Sequence, residues 1–251
     1  ILQVVKVLFK LIQVEFMKLK RKKFIILILI SAFTMPLISV LYYLGGGPIR
    51  NFSGFSIWGA LSYTEWIILP FILGIVSTMI LFDDRQNDTL KQIWIAPVSK
   101  SKYLFSKLLI LILFSVLYMF LTAVSTIGGG VLIGFKDINN ITLGFLFKKS
   151  MQIGILTPLA ILPITVLEIA SKNNYIFPIC ATIVYVFLGF ILIGFTMEYH
   201  PLSIVTAMII HDIPTVETKE AINLRNCYIN FTGLSVISFV LSVILLKKQD
   251  Y

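Results

Sequence analysis

The sequence predicts an all-α integral membrane protein with six transmembrane helices. Of its 251 residues, 58% are hydrophobic and only 13% are charged, whereas a soluble domain carries about a quarter charged residues. Six apolar runs are each long enough for a helix to cross a bilayer core of about 30 Å. The runs cover residues 24–44, 66–82, 108–127, 150–169, 175–197 and 229–246. Because no linker or internal repeat separates them, we expect a single transmembrane domain over residues 1–251.

The distribution of positive charge predicts that both termini face the cytoplasm. Lysine and arginine favour the cytoplasmic side of short loops. With the N-terminus inside, fifteen of them lie on the cytoplasmic side and six outside. Orientation and contact with anionic lipid therefore explain the net charge of +9. Nucleic acid is not an expected partner, because the aromatic residues do not interleave with a soluble basic patch.

Residues 1–23 have the pattern of an amphipathic helix in the membrane interface. Apolar residues recur at three- and four-residue steps, and lysines occupy much of the remaining face. The apolar residues are Val5, Leu8, Phe9, Ile12, Phe16 and Leu19. From periodicity alone, this helix is either a plain membrane anchor or a connecting helix that touches a cytoplasmic partner.

Glycine and proline predict where three of the transmembrane helices end or bend. Gly45–Pro48 ends the first helix and Gly128–Gly130 closes the third, because glycine adopts the left-handed conformations found at helix ends. Pro36 is expected to kink the first helix, and Pro158 and Pro163 the fourth.

The outer segment before the last helix, residues 198–228, contains an apolar run that is too short to span a membrane. This run, residues 202–210, predicts a re-entrant or interfacial element. The whole segment is either a surface loop that rests on the bilayer or an outer lid above a translocation path, and its length favours the lid. The expected lid residues are His200, Pro201, His211 and Asp212.

The chain carries no pattern typical of catalysis or nucleotide binding. It has no phosphate-binding loop, and the spacing of His200 and His211 fits no zinc helix. The two cysteines give neither a metal motif nor a disulfide framework. Glu65 and Glu168 lie near helix ends, where we expect their carboxylates to reach water. An intramembrane enzyme that uses His200, His211 or Glu168 is therefore the weakest hypothesis, and ion-coupled transport is disfavoured because the helix centres lack ionisable residues.

The cytoplasmic loop, residues 83–107, is predicted to be more than a solvated connection. Asp88 is expected to cap a short helix that carries Leu90 and Trp94 on one face, and Pro97 ends it. Apolar residues in such a loop need a surface to pack against. The pattern therefore favours a cytoplasmic partner.

This loop resembles the one that follows the second of six helices in type-2 ABC exporter permeases. The residues that carry the resemblance are Asp83, Asp88, Thr89, Leu90, Pro97, Val98, Ser99, Lys100 and Lys107. The stretch VEFMKLKRKKFII, residues 14–26, is similar to the family's entrance to its first helix. Asp88 departs from the family, which usually has a glycine at this position.

The resemblance implies a permease subunit in a bacterial plasma membrane, driven by a separate ATPase that would carry ATP and magnesium. No cofactor is expected on this chain itself. The chain is most similar to lantibiotic-immunity and bacitracin-type permeases, which implies export or membrane extraction of a peptide antibiotic or other amphiphile. Such permeases act as dimers with an identical or a sister chain. The implied ATPase-coupling residues are Phe9, Glu15, Phe16, Arg85, Asp88, Thr89, Leu90, Trp94, Pro97 and Ser99.

A second hypothesis requires no transport. The chain would then be a membrane immunity protein that sequesters a peptide at the outer surface through residues 199–225. The two hypotheses differ in one measurable respect, because sequestration would persist without ATP hydrolysis.

Overall fold

The computed structural model describes residues 12–20, 22–48, 51–86, 99–171, 174–212 and 222–248. In these ranges every regular element is a helix, and helix α1 comprises residues 12–20. The others are α2 (Lys23–Leu44), α3 (Phe52–Gln86), α4 (Lys100–Ile133), α5 (Asn140–Ala170), α6 (Ile176–Ile193), α7 (Pro201–Ile210) and α8 (Leu224–Lys248). Within the described part, six of them, α2 to α6 and α8, are long and apolar enough to cross a membrane. The predicted all-α fold with six spans is confirmed.

Several helices continue well beyond the apolar runs that predicted them. Helix α4 begins at Lys100, although its apolar run begins at residue 108. Ser99 caps this helix, because its Oγ accepts a hydrogen bond from the backbone N–H of Lys102 at 3.4 Å. Hydropathy marks the part of a helix that lipid can cover, whereas the cap marks where the helix begins.

Helix α2 ends and bends as its glycines and proline predict. It stops at Leu44, and Gly46 takes the left-handed conformation with φ +87°. A short 3-10 turn, Ser31–Phe33, interrupts the helix just before Pro36. Proline cannot donate to the carbonyl four residues earlier, which belongs to Ala32. The hydroxyl of Thr122 on α4 donates to that carbonyl instead, at 3.3 Å.

The prediction that the Gly128–Gly130 triplet closes the third helix is wrong. Helix α4 continues through the triplet and ends at Ile133, where Gly134 caps it with φ +85°. The triplet instead allows close packing. A Cβ on Gly129 would lie 2.8 Å from the side chain of Val40, and one on Gly130 would lie 2.6 Å from the ring of Phe52.

Helix α5 bends at Ile161, between the two prolines that predicted a break. Pro163 leaves the carbonyl of Leu159 without its helical donor, and the hydroxyl of Ser235 on α8 donates to it at 3.4 Å. The neighbouring carbonyl of Ala160 accepts from the hydroxyl of Tyr185 on α6 at 2.7 Å. Side chains of adjacent helices thus satisfy the groups that the bend exposes, as a bilayer interior requires.

The outer half of α3 is irregular. Two π-helical segments, Ile57–Leu61 and Thr64–Ile68, lie on either side of Ser62. The backbone of Ser62 breaks the helix with φ −98° and ψ −107°. This distortion lies in the half of α3 that contains Glu65, and π-helical turns are frequent at functional sites.

The apolar run of the outer segment forms α7, a ten-residue helix that does not cross the membrane. Its residues Pro201–Ile209 are all buried. It packs against α3, α5, α6 and α8. The ring nitrogen Nδ1 of His200 caps it by accepting from the backbone N–H of Leu202 at 3.3 Å. This confirms the predicted short element before the last helix.

Candidate coupling site at the inner end of the bundle

Helix α1 turns an unexpected face toward the bundle. Glu15 is only 4% exposed and Leu19 is 8% exposed, whereas Phe16 is 57% exposed. The sequence pattern had placed Phe16 and Leu19 together on the apolar face. The helix therefore docks through a carboxylate as well as an apolar side chain, and leaves Phe16 on the outside.

Glu15 belongs to a group of four charges that we call the inner charge cluster: Glu15, Lys18, Asp84 and Lys107. The Nζ of Lys18 lies 3.0 Å from Oε1 of Glu15 and 2.7 Å from Oδ1 of Asp84. The Nζ of Lys107 lies 2.6 Å from Oε2 of Glu15 and also pairs directly with Asp84. Each ammonium contacts both carboxylates, so the four charges alternate in sign and join α1, α3 and α4.

The cluster is largely withdrawn from solvent. Asp84 is 1% exposed and Lys107 is 3% exposed, and the hydroxyl of Tyr103 donates to Oδ2 of Asp84 at 2.9 Å. Burial alone would lower the pKa of Lys18, but Asp84 and Glu15 outweigh it and raise this pKa above its usual value. Lys18 therefore stays charged at physiological pH. Removing one partner from a buried ion pair typically costs about 3–5 kcal/mol, because the other charge is left uncompensated.

Two further cations tie the ends of other helices to the same region. Arg85, which follows the cluster residue Asp84, donates to the carbonyls of Glu168 at 3.2 Å and Ile169 at 3.0 Å in the last turn of α5. Lys100 at the start of α4 donates to the carbonyl of Leu246 near the end of α8 at 2.6 Å. The last carbonyls of a helix lack helical donors, and positive charge is favourable there. Side chains thus connect the inner ends of α1, α3, α4, α5 and α8.

The expectation that Glu65 and Glu168 reach water is wrong. They are 3% and 2% exposed. The carboxylate of Glu168 accepts from the hydroxyls of Ser77 at 2.7 Å and Thr78 at 2.8 Å, which links α5 to α3. Glu65 accepts from the hydroxyl of Thr206 on α7 at 3.0 Å. Hydroxyl donors from neighbouring helices replace water, and their positions depend on packing that the sequence pattern does not reveal.

Four of the ten expected coupling residues lie in the described part of the chain. Glu15 lies inside the inner charge cluster, Phe16 lies exposed on α1, Arg85 ties α3 to α5, and Ser99 is an exposed cap of α4. The expected residues that lie outside the described part are Phe9, Asp88, Thr89, Leu90, Trp94 and Pro97.

Lys18, Asp84 and Tyr103 are residues of this site that the sequence reasoning missed. The three-residue step from Glu15 to Lys18 is a spacing at which helical side chains meet. Lys107 was among the residues of the family resemblance. No sequence pattern, however, indicated that these charges pair across three helices.

The four expected lid residues lie at the two ends of α7. His200 and Pro201 begin the helix, and His211 and Asp212 follow its end. Burial lowers the pKa of His200 to about 4, so this ring is neutral at physiological pH. Asp212 pairs with the buried Lys149, whose Nζ lies 2.6 Å from Oδ2, and this hydrogen bond holds the pKa of Asp212 below its usual range.

The residues weighed for an intramembrane enzyme do not come together. His200 and His211 lie at opposite ends of α7, and the carboxylate of Glu168 contacts Ser77 and Thr78 instead. Within the described ranges, no three metal-binding side chains form a group that could hold an ion. The geometry gives no support to the enzyme hypothesis.

The six membrane-length helices in the described part of the chain define a multi-pass membrane protein. The family model described as "ABC-2 family transporter protein" matches residues 11–189. Because the match covers more than half of the chain, the chain belongs to this family. Its role is that of a membrane transport component that associates with ATP-binding subunits. A comparison with curated proteins gave no match.

Proposed function

We propose that this chain is the permease subunit of an ATP-binding cassette exporter that expels a peptide antibiotic, of the lantibiotic or bacitracin kind, or another amphiphile. A separate ATPase subunit would supply the energy, and a second permease, identical or a sister chain, would complete the pathway in a bacterial plasma membrane. The observation that carries the proposal is the inner charge cluster. It fastens the interfacial helix α1 to both helices that flank the predicted cytoplasmic loop.

The cluster gives a physical route from a cytoplasmic motor to the membrane helices. Asp84 lies at the end of α3 and Lys107 near the start of α4, so both flank the loop. A push on α1 or on the loop is resisted by buried, paired charges, and α3 and α4 therefore move with α1. Arg85 and Lys100 extend the connection to α5 and α8. A few kcal/mol of differential binding by the ATPase is enough to shift such a bundle between two states.

The surface that α1 leaves uncovered fits a docking role. Phe16 and Met17 are 57% and 48% exposed on this helix, and Ser99 lies exposed at the end of the cytoplasmic loop. Together with Leu90 and Trp94 of the loop, they would offer the ATPase an apolar surface at the membrane boundary. Glu15 was expected to contact the ATPase subunit. Because it is buried, its role in this proposal is to position α1.

A lateral groove supports an amphiphilic substrate. The groove has a volume of about 300 Å³ and lies between α2, α3 and α6. Phe24, Ile75 and Met79 line it with apolar surface, whereas Asp83 and Gln86 lie at its inner end. A molecule with an apolar body and a polar head matches this distribution.

The loop residues give the direct test of the ATPase assignment. We expect Leu90→Asp or Trp94→Asp to leave the chain inserted in the membrane but to abolish co-purification of the ATPase subunit. Ile141→Asp is a matched control, because Ile141 is 82% exposed at the start of α5 on the opposite side of the bundle. Normal co-purification with both loop variants would overturn the assignment.

One observation favours the second candidate, a membrane immunity protein that sequesters a peptide without transport. The described residues of the outer segment are held at several points. Asp212 pairs with Lys149, and the carboxylate of Glu198 accepts hydrogen bonds from the backbone N–H of Asn223 and the side-chain amide of Asn226. A fixed outer surface suits binding more than movement. Peptide resistance that persists with an ATPase unable to hydrolyse ATP would select this candidate.

A further inference from the structure

We infer that the lateral groove between α2, α3 and α6 binds a phospholipid of the inner leaflet whose headgroup carries an ammonium as well as a phosphate. One acyl chain lies in the groove, the phosphate contacts Lys22 and the ammonium contacts Asp83. The inference goes beyond the proposed function, because a lipid site requires neither an ATPase nor a peptide. An amphiphilic substrate that entered the groove would displace this lipid.

The groove has the length of one leaflet of a bilayer. On α3 its lining runs from Ile75 to Gln86, which corresponds to about 17 Å of helix at 1.5 Å per residue. Half of a hydrocarbon core of about 30 Å is about 15 Å. The groove closes at its deep end because α3 and α6 meet there, and a Cβ on Gly74 would overlap the side chain of Thr182. An acyl chain of the inner leaflet therefore fits between the inner surface and the middle of the membrane.

The walls of the groove are apolar and open toward the lipid. Ile75, Met79 and Phe82 follow one another at three- and four-residue steps on one face of α3, and each is half-buried. Phe24 on α2 and Tyr175 before α6 are 47% and 51% exposed. Tyrosine is enriched where the membrane meets water. Tyr175 therefore places the inner mouth of the groove at the level of the lipid headgroups.

This inner mouth carries charges of both signs. Asp83 lines the groove and pairs with Lys22, which precedes α2. Both side chains are 31% exposed. An ammonium has three donors and a carboxylate has two acceptor oxygens, so each can hold its partner and part of a headgroup at once. A phosphate on Lys22 and an ammonium on Asp83 give four charges that alternate in sign, as in the inner charge cluster.

The two signs favour one class of lipid headgroup over another. Phosphatidylethanolamine offers a cation to Asp83 and a phosphate to Lys22. Phosphatidylglycerol has the phosphate but no cation, so its negative charge would lie beside Asp83. Complementary charges give specificity, and a like charge in such a site is unfavourable. The groove should therefore discriminate between two lipids with the same acyl chains.

The test compares the binding of these two lipids to the delipidated full chain in detergent. The chain is mixed with equal amounts of phosphatidylethanolamine and phosphatidylglycerol of the same acyl composition, and native mass spectrometry counts the lipids bound. We expect the first bound lipid to be phosphatidylethanolamine by about fivefold, the ratio that one partly exposed charge contact supports. Equal binding of the two lipids would overturn the inference.

Substitutions of Asp83 test whether its charge sets the preference. Asp83→Asn should abolish the preference, and Asp83→Lys should reverse it toward phosphatidylglycerol, because both residues at the mouth are then positive. The ion pair that these changes remove is partly exposed, so the fold should tolerate them. Asp212→Asn removes an equal charge from a half-exposed side chain outside the groove and should leave the preference unchanged. An unaltered preference in Asp83→Lys would contradict the site.

Met79→Trp tests the apolar body of the groove. The larger ring would fill the groove and should prevent binding of both lipids, whereas Leu113→Trp, at a 54% exposed position on α4, should not. If Met79→Trp instead leaves lipid binding intact and dissociates a dimer, the groove is an interface between two copies of the chain and the inference is wrong. None of these measurements includes an ATPase or a peptide, so a failure here leaves the proposed function standing, and loss of the ATPase assignment leaves the lipid result standing.

Discussion

At the scale of single residues, the main finding is that several charged side chains in the described part of this apolar chain are buried and paired. The lysines of the sequence are explained as a group by orientation, but Lys107 and Lys149 have individual roles. They are 3% and 1% exposed and contact carboxylates from distant parts of the chain. Composition could not predict this, because the partners are brought together only by helix packing.

Lys107→Met tests the inner charge cluster. The substitution leaves Glu15 and Asp84 buried with one cation fewer, so we expect a loss of stability of about 3–5 kcal/mol and a weaker attachment of α1. Thermal unfolding of the detergent-purified chain measures the loss. Lys102→Met on the same helix removes an equal charge from a half-buried position and should change the melting temperature little. Equal effects of the two variants would contradict the buried cluster.

His200→Asn tests the pH dependence of the outer segment. An unfolded histidine takes up a proton near pH 6.5, whereas the folded His200 has a pKa of about 4. Between these values the unfolded state binds more protons, so His200 lowers stability as the pH falls from 6.5 to 4. Asparagine is a good helix cap and does not titrate there. The melting temperature of the variant should therefore vary less with pH across this window than that of the unsubstituted chain. An equal pH dependence in the two proteins would contradict a buried, neutral His200.

At the scale of elements, glycine was the least reliable signal in the sequence. Gly45 and Gly46 do end a helix, whereas Gly129 and Gly130 lie inside α4 and allow Val40 and Phe52 to approach. A glycine run looks the same in the sequence in both cases. Because glycine has no side chain, it can adopt the conformation that ends a helix, and it can equally let a neighbouring helix approach closely. Only the neighbouring helices decide between them.

Gly130→Ala and Gly128→Ala form a matched pair that tests this interpretation. A Cβ at Gly130 would lie 2.6 Å from the fully buried ring of Phe52, whereas one at Gly128 meets nothing within 4 Å. We expect Gly130→Ala to destabilise the chain by about 1–3 kcal/mol. Gly128→Ala should be neutral or stabilising by up to about 1 kcal/mol, because alanine favours the helix. Chemical unfolding in detergent measures both, and the reverse order would refute the packing role.

At the scale of the whole molecule, the sequence predicted the six spans well because long apolar runs have few alternatives. It predicted less of the coupling site. The resemblance indicated Glu15 and Arg85 as coupling residues, but not that Glu15 would be buried against Asp84 and Lys107. The loop residues Leu90 and Trp94, which lie outside the described part, stay a prediction for the ATPase to test.

The central claim is that this family member moves its substrate with energy from a partner ATPase. The most direct measurement is the resistance of cells to a lantibiotic or bacitracin, when the chain is expressed with an active ATPase subunit or with one that binds but cannot hydrolyse ATP. Transport predicts that resistance is lost with the inactive subunit although the complex still assembles. Full resistance with the inactive subunit would contradict the claim and identify a sequestering immunity protein instead.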